Sequence, residues 1–127
     1  MKDIFIRNAH VAPMEGEGYE TGYVLVRDGK IAAVGAMADA PEKPGAEIID
    51  AAGGWVLPGL LDIHSHLGLY EDGLGFEGAD GNEDTDPVTP HLRVIDGINP
   101  MERAFRESLE AGVTTVVVSP GSANPIG

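Results

Sequence analysis

The residues best equipped for chemistry lie together in Trp55-Val56-Leu57-Pro58-Gly59-Leu60-Leu61-Asp62-Ile63-His64-Ser65-His66. An apolar run breaks at Pro58-Gly59, restarts at Leu60-Leu61 and ends in two histidines one residue apart. On a β-strand, alternate side chains share a face, so Asp62, His64 and His66 point one way and Leu61, Ile63 and Ser65 the other. Imidazoles at i and i+2 start about 6.5–7 Å apart. With metal–nitrogen bonds of roughly 2.0–2.1 Å, they can converge on one divalent ion. Neutral imidazole is a common metal ligand near neutral pH. Asp62, one step deeper on the same face, could orient an imidazole or bond to nearby backbone. Further along, His91 and Arg93 are candidate substrate-binding residues, since a guanidinium suits a carboxylate.

A bare His-x-His also arises by chance at the end of ordinary strands. The longer string Val56-Leu57-Pro58-Gly59-Leu60-Leu61-Asp62-Ile63-His64-Ser65-His66 resembles the first barrel strand of the amidohydrolase superfamily. That family's pattern is Pro-Gly, two apolar residues, Asp, any residue, His, any residue, His. Residues 86–100, Asp-Pro-Val-Thr-Pro-His-Leu-Arg-Val-Ile-Asp-Gly-Ile-Asn-Pro, are similar to the imidazolonepropionase-related branch. The resemblance implies His64 and His66 as ligands to a divalent metal, zinc above all, in a site of one or two ions. It also implies hydrolysis of amide C–N bonds, often cyclic, in a small-molecule amide, lactam or peptide-like substrate. Prolidase-like dipeptidases and deaminases of the superfamily share a similar first strand.

The other elements must position that strand. Asp3 to Val11, Tyr23 to Arg27, Lys30 to Gly35, Glu47 to Ala51 and Trp55 to Leu57 read as short strands separated by turns. Asp28-Gly29 signals a type I′ hairpin. Gly16 and Gly18, with Glu15, Glu17 and Glu20, mark a loop. This is the pattern of a small antiparallel sheet or sandwich. It resembles the N-terminal part of the β-sandwich beside the amidohydrolase barrel. His10, with no acidic or histidine neighbour at ligand spacing, reads as structural or surface.

Residues 67–99 change character, with glycines at 68, 73, 75, 78, 81 and 97. Between Glu71 and Asp86 there are seven acids and no base. The segment reads as a long irregular insertion, either a lid over the site or a passive solvated loop. Asp80, Asn82, Asp84 and Asp86 alternate as in a calcium loop. An EF-hand is not expected, because Thr85 stands at the glycine position and His91 at the glutamate position. Asn99-Pro100-Met101-Glu102 then suggests a helix over 100–111, with Asn99 as N-cap and Glu102 closing a capping box. Its expected packing face is Met101, Ala104, Phe105, Ser108, Leu109 and Gly112. Val113 to Ser119 is a β-branched run expected to be buried on both faces of a parallel sheet.

The expected class is therefore α/β with a β-rich N-terminus. Residues 1–57 form part of a β-sandwich, and residues 58–127 form the first βαβ unit of a TIM-barrel hydrolase domain. A full barrel needs roughly 250 residues, more than the 127 present. On the resemblance, the general-base aspartate and the remaining metal ligands belong to later strands, so the chain is expected to be an inactive N-terminal fragment of an active enzyme. The alternative is a self-contained, non-catalytic binding or interaction module. A net charge of −13, from 21 acids and 8 bases, argues against nucleic acid or anionic membrane as partner. No apolar run approaches the ~20 residues of a membrane span. Cysteine is absent, removing disulfides and thiolate ligands. A cytoplasmic enzyme, compatible with homo-oligomerisation, is the resulting expectation.

Overall fold

The computed structural model describes residues 2–42 and 44–125. They divide into two units, Met1–Pro58 and Gly59–Gly127. The first unit is a five-stranded sheet built from β1 (Ile4–Val11), β2 (Tyr19–Arg27), β3 (Lys30–Ala36), β4 (Glu47–Asp50) and β5 (Trp55–Val56). Its main path runs β3-β2-β1-β4, with β5 also paired to β1. The first three strands form an antiparallel meander. Its β2–β3 turn has Asp28 and Gly29 at φ 49° and 73°, as a type I′ hairpin requires. The sheet is mixed, however, because β4 and β5 run parallel to β1. The connection after β3 returns the chain to the opposite edge of the meander, where antiparallel hairpin pairing is no longer available. Strand β2 also begins earlier than expected, so Glu20 belongs to the strand and the loop ends before it.

A register shift between Ile6 and Ala9 decides which residues meet in the core. Asn8 there takes a left-handed φ of 55°, and the extra residue switches β1 from one face of the sheet to the other. Phe5 therefore packs with Tyr23 and Leu25, while Ala9 and Val11 pack with Val24. The Asp50 carboxylate anchors this bulge. It accepts from Asn8 Nδ2 at 3.0 Å, Arg7 Nε at 3.1 Å and the Ala52 N–H at 3.0 Å.

The second unit pairs β6 (Leu60–Ser65) with β7 (Val113–Val118) in parallel through α1 (Arg103–Glu110). Gly59 is required because a Cβ there would strike Thr114 of β7. The helix begins later than expected, at Arg103, with Glu102 as its N-cap and no side-chain capping bond. Asn99 Oδ1 accepts instead from the Met101 N–H at 3.0 Å, closing a turn before the helix. The Glu102 carboxylate accepts from the Gly68 N–H, so the group expected to close a capping box ties down the insertion instead. Gly68 has φ +85°, and a Cβ there would lie 2.8 Å from Ile98 Cγ2 and 3.0 Å from Phe105.

Residues 67–99 are folded rather than featureless. Leu69 is fully buried and Thr89 nearly so, Tyr70 bridges Ala79 antiparallel, and 3-10 turns occupy Gly75–Gly78 and Val94–Asp96. Expected burial fails at β7, where Thr114, Thr115 and Val117 are exposed. On β6, Leu60, Leu61 and Ile63 are 61%, 68% and 80% exposed. Two strands and one short helix offer too few layers to cover both faces of a parallel pair. Met101 and Leu109 likewise remain exposed, while Ala104, Phe105 and Ser108 are half-buried. Among the described residues no helix is long and apolar enough to cross a membrane.

Two outcomes are expected from this architecture. The hydrogen bond from Asn8, reinforced by Ala52 N–H and Arg7, holds the Asp50 carboxyl below its ordinary value. Its stabilisation is complete above the unfolded-state value of about 3.9 and is lost as pH falls through the lowered folded value. Asp50→Asn should therefore lower the melting temperature at neutral pH, with the gap to the parent closing below about pH 4. Thermal melts across pH test this, and a gap independent of pH would contradict it. Removing the Glu102 carboxylate should loosen the turn at Gly68 by about 1.5–3 kcal/mol. Amide exchange at Gly68 should then quicken roughly 10- to 100-fold in Glu102→Ala, whereas unchanged protection would show that the bond holds nothing in place.

Candidate metal-binding site

Strand β6 delivers His64 near its carboxyl end and His66 just beyond it, and the two rings meet edge to face. Their centroids are 5.4 Å apart, at an interplanar angle of 80°. His64 is exposed and His66 half-buried. His66 Nδ1 lies 2.7 Å from the Ser119 carbonyl oxygen, at the end of β7. A carbonyl only accepts, so Nδ1 carries the proton and the Nε2 lone pair is left free, the tautomer a metal ligand needs. The strand ends are locked together around this bond. The Ser119 N–H donates to Ser65 O at 3.0 Å, and Ser65 Oγ donates to Val117 O at 3.1 Å.

Asp62 Oδ1 accepts from the His64 backbone N–H at 3.0 Å. Of the two roles open to it, the bonding here is the backbone one: it fixes the chain carrying His64 rather than the imidazole itself. Among the described residues, no three His, Asp or Glu side chains gather as a metal cluster. The histidine pair fits a divalent ion in donor type and tautomer, and it supplies half of the usual zinc coordination.

His91 and Arg93 line a cavity of about 270 Å³ with Asp80, Asn82, Glu83 and Asp96. Arg93 is already engaged, its Nη2 2.8 Å and Nε 3.1 Å from the two Asp96 oxygens. This bidentate bond raises the Arg93 pKa and lowers that of Asp96. Glu83 is also held below its ordinary value, mainly by its bonding to Thr85. Arg93 thus already holds a carboxylate of the protein itself, in an exposed pair three residues apart. In the first unit, His10 stacks on Trp55 at 5.2 Å and its Nδ1 lies 3.4 Å from Glu20, a surface arrangement.

Sequence reasoning missed three contributors to the site. Ser119 works through its backbone carbonyl, which no side-chain pattern reveals, although its place at the end of the next parallel strand was a usable signal. Tyr70 stands edge-on to His66, with centroids 6.1 Å apart. Its hydroxyl accepts from Asn82 Nδ2 at 3.3 Å. Tyr70 belongs to no motif with metal-ligand spacing, and Asn82 was noticed only in the calcium-like alternation with Asp80, Asp84 and Asp86.

No family model matches the chain. It is 38% identical over 117 residues to Amidohydrolase tasK of Hapsidospora irregularis, covering 88% of this chain and 12% of that protein. It is 43% identical over 70 residues to an imidazolonepropionase of Aromatoleum aromaticum, covering 51% of this chain and 17% of the relative. The crystal structure of an amidohydrolase from Thermotoga maritima superposes with a TM-score of 0.83 at 47% identity. That match covers 96% of this chain and 31% of the other. The chain thus spans less than a third of the length of each of these proteins, and its β-rich architecture is a partial amidohydrolase fold. It belongs to the amidohydrolase superfamily, matching the N-terminal portion of its members.

Proposed function

We propose that this chain is the N-terminal part of a metal-dependent enzyme that hydrolyses C–N bonds in a small-molecule amide, with His64 and His66 holding one side of a divalent ion, zinc by preference. The observation that carries this reading is the imidazole pair at the carboxyl end of a parallel strand, with the His66 Nδ1–H committed to Ser119. The carboxyl end of parallel strands is where α/β barrels place their chemistry. A divalent ion bound there supplies a Lewis acid that polarises a scissile carbonyl and makes water more acidic. The chain's own residues hold the two rings at an edge-to-face angle, fix the His66 tautomer and brace the His64 backbone through Asp62.

The β6–β7 pair is the start of a barrel in this reading, and residues before Gly59 are part of a sandwich. The general base and the other ligands come from later strands of a longer protein. Exposed Leu60, Leu61 and Ile63 support this, since parallel strands bury both faces when their sheet is complete. The names of the relatives, amidohydrolase and imidazolonepropionase, support amide or lactam chemistry.

In the full-length parent, His64→Ala and His66→Ala should each abolish turnover and reduce bound metal, read by elemental analysis beside activity. The isolated 127-residue chain, with two ligands, should take up zinc weakly. Both variants retaining full metal and turnover would overturn the assignment.

A further inference from the structure

The acidic insertion is joined to the loop after β7 by a set of directional contacts. The Gly121 N–H donates to Gly81 O at 2.6 Å, and the Thr89 N–H donates to Pro125 O at 2.9 Å. Asn124 Nδ2 donates to Asp86 O at 3.0 Å and to Thr89 Oγ1 at 3.1 Å. Tyr70 lies within this clamp. It is fixed along the chain by the Asp80 N–H to Leu69 O bond and the Glu71 N–H to Gly78 O bond, each 2.8 Å. Its hydroxyl sits between two glycines. A Cβ at Gly81 would run into that hydroxyl, and one at Gly121 would lie 3.0 Å from it and 2.6 Å from Asn82 Oδ1. The Tyr70 ring stands at 83° to the His66 ring, with centroids 6.1 Å apart.

We propose that Tyr70 is a positioning residue for His66, so that the insertion is a fixed wall of the metal site rather than a lid. The His66 ring has two restraints of different kinds. The Ser119 carbonyl sets its tautomer and one in-plane direction. The Tyr70 edge restricts rotation out of that direction, and Asn82 with the glycine pair keeps Tyr70 in place. Ligand-orienting partners of this sort typically change metal affinity 10- to 100-fold when lost.

The inference rests on the metal-site reading, and the test separates the two. In the full-length parent, zinc affinity is measured by competition with a chelator, and the visible spectrum of the cobalt-substituted protein reports ligand geometry. Tyr70→Leu should weaken zinc binding roughly 10- to 100-fold and alter the cobalt bands. Tyr70→Phe, which keeps the ring but loses the hydroxyl that Asn82 holds, should fall between the parent and Tyr70→Leu. Gly121→Ala, which leaves Tyr70 intact but displaces Asn82, should weaken binding in the same direction and covers the case in which Tyr70→Leu does not fold. Parent-like zinc affinity in a folded Tyr70→Leu or Gly121→Ala protein, with binding lost in His66→Ala, overturns the positioning role and leaves the metal site standing. Parent-like affinity in His66→Ala overturns the metal site and the positioning role with it.

Discussion

The candidate site depends on one bond, from His66 Nδ1–H to the carbonyl of Ser119. It can form only if β6 and β7 run parallel and end at the same level. In an antiparallel pair, the end of one strand lies beside the start of its neighbour. Parallel pairing demands a crossover, which the insertion and α1 provide. The registers Asp62 with Val116 and Ser65 with Val118 then bring Ser119 level with His66. The irregularity between these pairs falls where the strand gives way to the site.

Charge shapes the surroundings of that bond. Three arginines of the second unit are held by its acids, Arg93 by Asp96, Arg103 by Asp72 and Glu107, and Arg106 by Glu110. Exposed pairs of this kind contribute little stability, so their consequence is orientation and neutralisation. The remaining acids of residues 71–86 leave the insertion negative, which favours a cation nearby and disfavours anions. Because the insertion is anchored at Leu69, Thr89 and Gly121, that field has a fixed source rather than a mobile one.

Legibility in the sequence followed the range of the interactions. The Asp28-Gly29 hairpin and the positions of the strands were readable because local dihedral preference and alternation decide them. The proximity of His64 and His66 was readable because strand geometry places i and i+2 together. The parallel pairing of β4 with β1 was not, since it depends on where a long connection lands. Glu102 shows the same limit: its spacing from Asn99 fits a capping box, yet Gly68, far away in sequence, takes its carboxylate. Arg93 was legible as a carboxylate binder, but its partner proved to be Asp96 three residues on. The burial expected of β7 failed because a β-branched run reports what a strand is suited to, and burial requires neighbouring layers.

That failure bears on how the site keeps its geometry. A two-stranded sheet with exposed apolar faces has little core to hold it, and an eight-residue helix is marginal without tertiary support. Placement of the rings therefore depends on directional polar contacts at the strand ends and in the loops. Strand–strand bonds locate the backbone of His64 and His66, while Ser119 and the Tyr70–Asn82 pair locate the His66 ring. Covering the faces of β6 and β7 would stiffen the first of these layers. It would leave the second unchanged, because those contacts lie beyond the ends of the strands. A chain with this division can lose the orientation of an imidazole without losing its fold.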